Sequence, residues 1–247
     1  MSKPLAIDLF CGLGGWTEGL LAEGYDVVGF DIERHAYGEQ KYPAQLVIQD
    51  VLTLHGSQFR TATLIVASPP CQEYSYMAMP WKLAKAKAKA IRADTTGAAL
   101  ENLNRLFNAC FRIQAEASIA AGRRIPMVIE NVRGAIPWVG RSRWNFGSFH
   151  LWGDVPALMP PAFKAYKVPS MPGDHRIAPG NGVRFTSRDC GMESGIKCGG
   201  DWFNADQPSI SRMTSSKSPA RKAASAMIAK IPLPLSRHVA ATFRPSP

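Results

Sequence analysis

At 247 residues the chain has the length of one large domain, or of one domain carrying a small appendage. Hydrophobic residues make up 46%, enough for a sizeable core, which excludes wholesale disorder. Lysine and arginine total 29 against 19 aspartate and glutamate, and the resulting charge of +10 favours an anionic partner such as nucleic acid without identifying one.

The five cysteines (Cys11, Cys71, Cys110, Cys190, Cys198) contain no CxxC pair, so neither an extracellular disulfide framework nor a structural zinc site is expected. The apolar run after Met-Ser-Lys-Pro breaks at Asp8, and no later run reaches the roughly 18 residues of a membrane span. A soluble protein of a reducing compartment is expected, with no metal and no membrane partner.

From Leu5 the chain alternates two kinds of segment. Leu5 to Phe10 reads as a strand running into the turn Cys11-Gly-Leu-Gly-Gly15, and Trp16 to Glu23 carries Trp16, Leu20 and Leu21 at helical spacing before Gly24. Tyr25 to Phe30, Leu46 to Ile48 and Thr63 to Ala67 read as further strands, ending at Asp31, Asp50 and Ser68-Pro-Pro70. A helix carrying Leu100, Leu103, Leu106, Phe107 and Phe111 precedes a fifth strand, Met127 to Ile129, which runs into Glu130-Asn131. Strands alternating with helices predict an α/β, doubly wound, mostly parallel sheet. Ligands in such sheets bind beyond the carboxyl ends of the strands, and all five polar clusters fall there.

The alternation fades near residue 153. Residues 154–219, rich in Pro, Gly, Ser and basic side chains, read as a small irregular module after a domain spanning 1–153. An apolar pattern returns in 220–247 and is expected to pack back on the first domain.

The glycines at 12, 14 and 15 leave room for a ligand at a helix N-terminus, although Thr17 stands where a dinucleotide fingerprint would need glycine. Asp31 either accepts hydrogen bonds from a ribose diol or caps a helix beginning near Arg34. Pro69-Pro70-Cys71-Gln72 presents a cysteine at the ligand edge. It reads either as a nucleophile or as a small buried hydrophobe, and its stiff, strand-end setting favours the nucleophile. Glu130 is either a carboxyl kept protonated by its apolar surroundings, able to donate a hydrogen bond, or a salt-bridged carboxylate facing Arg133. Lys82, Lys85, Lys87, Lys89 and Arg92 grip phosphates or line a solvated helix. Trp81, Trp138, Trp144 and Trp152 are expected to fill cores.

Asp8-Leu-Phe-Cys-Gly-Leu-Gly-Gly15, Pro69-Pro-Cys-Gln72 and Glu130-Asn-Val132 stand in the order and spacing of the C5-cytosine DNA methyltransferases, which the first 135 or so residues resemble. The resemblance implies the S-adenosylmethionine-dependent methyltransferase fold with a target-recognition module at about 156–219. It implies a cofactor site of Phe10, Gly12, Leu13, Gly14, Gly15, Asp31, Ile32, Asp50, Val51 and Pro70. Cys71 would be the nucleophile adding to C6 of cytosine, Glu130 the partner of N3 and Arg143 a further catalytic residue. Gln72, Ser75 and Arg141 would touch DNA, with the target base flipped into the pocket. Two departures stand out: Arg141-Ser-Arg143 is the only counterpart of the family's Gln-x-Arg-x-Arg element, and Ala229-Lys230 replaces its Gly-Asn.

The expected activity is methyl transfer from S-adenosyl-L-methionine to C5 of cytosine in double-stranded DNA, in a cytoplasmic, nucleoid-associated protein, for restriction-modification or a related role. The rival readings are a tRNA cytosine-5 methyltransferase and a catalytically silent DNA-binding homologue.

Overall fold

The computed structural model describes residues 2–74, 81–159 and 219–245. The expected irregular module falls almost wholly outside these residues, as do Ser75, Cys190 and Cys198. In chain order the first half contains β1 (Leu5–Leu9), α1 (Gly15–Ala22), β2 (Asp26–Asp31), a short hairpin of β3 (Ala36–Tyr37) and β4 (Gln40–Lys41), β5 (Gln45–Ile48), β6 (Leu64–Ala67) and α2 (Trp81–Ala93). Then come α3 (Ala98–Ala121), β7 (Met127–Asn131), α4 (Ile136–Val139), β8 (Trp144–Phe146), β9 (Phe149–Gly153), α5 (Pro219–Ala229) and α6 (Leu233–Phe243).

Seven strands form one sheet in the order β5-β2-β1-β6-β7-β9-β8. The first five pair in parallel, while β7–β9 and β9–β8 are antiparallel, so the expected mostly parallel α/β sheet is the observed one. Its central strands are apolar on both faces, as a sheet covered by helices on either side requires. Ile7, Leu9, Ile65, Ala67, Met127 and Ile129 point into a core with Phe107, Ile113 and Ala117 of α3. Their neighbours Ala6, Leu64, Val66 and Val128 point the other way, to Trp16 and Leu20 of α1 and Leu235 and Val239 of α6. Successive residues thus serve opposite cores, as the two-residue period of a strand dictates.

Two stretches take forms that the sequence reading left open. No helix begins near Arg34; the chain instead makes the β3–β4 hairpin, with Gly38 in the left-handed region between the strands. The apolar stretch after residue 220 divides at Ile231-Pro232 into α5 and α6, since a proline at position 232 lacks the N–H that would continue the first helix. Among the tryptophans, Trp16 and Trp152 are core residues and Trp144 packs against the core. No described helix is long and apolar enough to cross a membrane, and no group of three His, Cys, Asp or Glu among the described residues is arranged to hold a metal.

Candidate active site

Parallel strands point the same way, so the residues after β5, β2, β1, β6 and β7 all emerge at one edge. Reading across the sheet, they are Asp50, Asp31, Phe10 to Gly15, Ser68 to Cys71, and Glu130. Of the expected site residues, those from Phe10 to Gly15 and Asp31, Asp50, Pro70, Cys71 and Glu130 therefore share one rim; Ser75 lies outside the described residues, and Arg141 and Arg143 lie on the connection before β8.

At the centre, the chain leaves β1 through Phe10, the only non-glycine residue with positive φ (56°) among the described residues. A left-handed backbone costs a residue with a side chain about 1–2 kcal/mol, and such strain collects at functional turns. Gly12 follows at φ 51°, and a Cβ built there would meet no atom within 4 Å, so this backbone faces open space. Gly14 begins α1 with no side-chain cap, leaving the helix N-terminus without the usual oxygen acceptor. Gly15 has another reason to be glycine. A Cβ there would lie 2.3 Å from the backbone nitrogen of Ile231, so the C-terminal segment packs directly on it. Leu13 is buried beneath the loop.

Asp31 organises the neighbouring strand end. Its Oδ2 accepts from Gly12 N–H at 2.9 Å and its Oδ1 from Ile32 N–H at 2.8 Å. His35 Nε2 lies 3.5 Å from Oδ1. Burial works to raise the Asp31 pKa, but the hydrogen bonds from His35 and Gly12 and the His35 charge prevail and hold it below the ordinary value. The rim thus carries an ionised acceptor beside the open glycine loop. Ile32, next to it, is 69% exposed, an apolar surface set beside that carboxylate. Asp50 accepts from Leu52 N–H at 2.9 Å and starts a short 3-10 turn. The side chain of Val51 turns into the core.

Beneath the loop lies a network the sequence did not reveal. Asp8, fully buried, accepts from Thr17 Oγ1 at 2.6 Å, and Thr17 shares a second hydrogen bond with Tyr42 Oη at 2.7 Å. Its other oxygen, Oδ1, has no partner among the described residues. Burial drives the Asp8 carboxyl well above the usual carboxylate range, and a neutral acid tolerates such a site far better than an anion. Thr17, which breaks the dinucleotide pattern, is the link that joins Asp8 to Tyr42. The one available sequence signal is a carboxylate inside an apolar strand.

On the other side of β1, the register pairs Ala67 with Ile129, so Glu130 emerges beside the start of the Ser68-Pro69-Pro70-Cys71 segment. Asn131 Nδ2 donates to Pro69 O at 2.9 Å, a buried bond that pins this segment to β7. In sequence Asn131 is only the neighbour of Glu130; its hold on the proline loop spans 62 residues and needs the fold to be seen. Glu130 is 7% exposed, Cys71 is half-buried, and Pro70 and Gln72 are exposed. Cys71 is not in a disulfide.

Two side-chain contacts tie the helix α2 to this part of the chain. Lys87 pairs with Glu73, two residues past Cys71, and the Arg92 guanidinium lies 5.2 Å from the ring of Trp138, in α4 just after β7. Ala84 and Ala88 are buried, whereas Lys82, Lys85, Lys89 and Arg92 are exposed. With 100° per residue these four fall within one side of the helix, making a basic stripe about 15 Å long at 1.5 Å per residue. Arg141 and Arg143 lie on the exposed connection before β8, and Arg143 N–H donates to Leu151 O.

Residues 5–92 match the C-5 cytosine-specific DNA methylase family. The matched stretch includes the glycine loop, Asp31, Asp50 and Cys71; Glu130 lies beyond it and joins the site through the pairing of β6 with β7. No curated protein matches the chain. Solved structures similar to it include one described as a DNA modification methyltransferase encoded within an E. coli prophage, at 23% identity, TM-score 0.36, over 54% of this chain and 33% of that one. Another is the S. pombe Dnmt2 methyltransferase, at 16% identity, TM-score 0.33, over 55% and 36%. A third is the Entamoeba histolytica methyltransferase EhMeth, at 17% identity, TM-score 0.30, over 54% and 39%. The aligned region spans only 33–39% of each of these structures.

Proposed function

We propose that this protein transfers a methyl group from S-adenosyl-L-methionine to C5 of cytosine in double-stranded DNA. The observation that carries the reading is the juxtaposition on one rim of a half-buried cysteine after two prolines, a nearly buried glutamate on the adjacent strand, and an open glycine loop beside an ionised aspartate.

The residues present fit the cofactor. Gly12 lets a ligand approach the backbone, Asp31 offers its carboxylate to a ribose diol, and the exposed face of Ile32 suits a flat purine. Phe10, Leu13, Gly14, Gly15, Asp50, Val51 and Pro70 complete the proposed surround. When bound, the cofactor supplies an electrophilic methyl group on a sulfonium.

Cytosine C5 is too weak a nucleophile to take that methyl unaided. The Cys71 thiolate adds to C6, and the electron pair of the C5–C6 double bond becomes available at C5. The Glu130 carboxyl donates its proton toward N3 and so stabilises the charge that develops on the ring. After methylation C5 gives its proton to a water molecule, N3 returns its proton to Glu130, the double bond re-forms and Cys71 leaves as thiolate. Asn131 positions the cysteine through Pro69 O. Because C6 is hidden in a stacked duplex, the target nucleotide must turn out of the helix to reach Cys71. Gln72, Ser75 and Arg141 are proposed DNA contacts, and Arg143 a further catalytic residue. Residues 154–219 are proposed to read the target sequence.

Expression in a methylation-free cell followed by bisulfite sequencing tests the reading. A single enriched motif carrying 5-methylcytosine is the expected result. Tritium transfer from labelled cofactor into small RNA but not duplex DNA would move the substrate to RNA, and transfer into neither would refute the enzyme reading. Duplex containing 5-fluorocytosine at the target should form an adduct with the protein that survives denaturation.

A further inference from the structure

The first turn of α1 ties three distant parts of the chain to the glycine loop. Trp16 Nε1 donates to Ser68 Oγ at 3.0 Å, at the root of the Pro69-Pro70-Cys71 segment. Thr17 joins Asp8 and Tyr42. Glu18 accepts from Lys230 Nζ at 2.6 Å, and the Lys230 side chain is only 18% exposed.

Immediately after Lys230, the backbone of Ile231 rests on Gly15, where a Cβ would fall 2.3 Å from its nitrogen and 2.9 Å from its oxygen. One turn further on, Gly19 admits Ser236 and Arg237 in the same way, its Cβ position lying 2.5 Å from Arg237 N. Backbone-to-backbone packing of this kind leaves no flexible side chain to absorb a shift, so a displacement at 230–231 is passed to the residues of the glycine loop.

We propose that the Lys230–Glu18 ion pair is a positioning device for the cofactor site: it seats Ile231 on Gly15 and thereby sets the shape of the glycine loop at the N-terminus of α1. The inference rests on the S-adenosylmethionine reading above and gives a role to the position where Lys230 departs from the family's Asn. The Lys230 side chain is 18% exposed and that of Glu18 38%, so the pair is partly shielded: salt screens it in part, and removal of Glu18 leaves the more buried Lys230 charge without its partner.

A second ion pair between the same two regions provides an internal control. Arg237 lies 2.7 Å from Glu23, beyond the far end of α1. The five residues from Glu18 to Glu23 rise by about 7.5 Å along the helix. Both pairs fasten the C-terminal segment to α1 and its end, but only Lys230–Glu18 lies in the turn that follows the glycine loop.

Calorimetric titration of the full chain with S-adenosylmethionine, paired with thermal melting, tests this. Lys230→Met and Glu18→Gln should each weaken cofactor binding by about tenfold, the coupling scale of groups in direct contact. At saturating cofactor kcat should stay within about twofold, because an interaction equal in ground and transition states alters KM alone. The exchanged double variant E18K/K230E should recover most of that affinity. Arg237→Gln should lower the melting temperature as Lys230→Met does while keeping cofactor affinity within about twofold, since additivity holds for separated sites.

Unchanged affinity in Lys230→Met, or an equal loss in Arg237→Gln, would overturn the proposal. Should Lys230→Met fail to fold, the nearly isosteric Glu18→Gln decides the matter by the same criterion. A wild-type protein that binds no cofactor would refute the functional reading itself, whereas wild-type binding matched by every variant would refute only the positioning role.

Discussion

Cys11 and Cys71 follow neighbouring parallel strands and emerge at the same edge of the sheet, yet their surroundings are opposed. Cys11 is 6% exposed, and burial above all pushes its thiol far above the ordinary range. Cys71 is half-buried, follows Pro69-Pro70, and its loop is held to β7 by Asn131. Two sulfurs at the same sheet edge differ in reach: one is sealed inside and the other reaches the surface. The loop after β1 is thus suited to cradle a ligand with its backbone, and the loop after β6 to present a side chain.

Paired substitutions break this contrast most sharply. Cys71→Ala should reduce methyl transfer by more than about a thousandfold, the range for loss of an activated nucleophile, with cofactor binding intact by calorimetry. Cys11→Ala should keep activity within about threefold, since it removes only a small hydrophobe. Equal losses in both would end the distinction between the loops.

Asn131→Ala sharpens it further. Releasing Pro69 O frees the Pro-Pro-Cys segment, and misplacement by about 1 Å costs up to about a hundredfold in rate. Single-turnover kinetics should show the fall in the chemical step while KM for the cofactor stays constant.

The basic stripe on α2 should matter less and only for nucleic acid. Replacing Lys82, Lys85 and Lys89 together by Gln should flatten the dependence of log affinity on log salt by about 2–3, at about 0.9 for each phosphate no longer neutralised. Fluorescence anisotropy with duplex DNA over a salt series measures this, and an unchanged slope would return α2 to the status of a solvated helix.

The smallest effect concerns the Asp31–His35 pair. Its hydrogen bond to Asp31 raises the His35 pKa above 6.5 against the opposing effect of burial, so its contribution to stability is complete below that value and is lost as pH rises through the folded-state pKa. The Asp31 pKa is lowered from 3.8, so its contribution is present above that value and is lost as pH falls through the lower folded-state pKa. The pair therefore contributes most between about pH 4 and 6.5, the two unfolded-state values. His35→Gln should remove the part of the melting-temperature decline seen on moving from pH 6 to pH 8.

How much of this is legible in the sequence depends on how local each signal is. The strand ends bearing Gly12, Asp31, Asp50, Cys71 and Glu130 are readable because an apolar run followed by glycine, proline or a carboxylate is a local pattern. The antiparallel strands β8 and β9 are not, since their short, aromatic-rich segments resemble core-filling loop residues until β9 is seen paired with β7. The hairpin after Asp31 reads as a helix start because an aspartate before polar residues caps a helix and closes a turn with the same hydrogen bonds.

What the amino-acid order determined by itself is the set of groups gathered on the rim: parallel strands alternating with helices must bring their carboxyl ends together, whatever the details of packing. What only the tertiary structure decided is how those groups are held. Asn131 on Pro69, Thr17 between Asp8 and Tyr42, Ile231 on Gly15 and Lys230 on Glu18 join residues far apart in the chain, most of them by dozens of positions or more. No local pattern encodes them, because each depends on two surfaces that meet only after the sheet has formed.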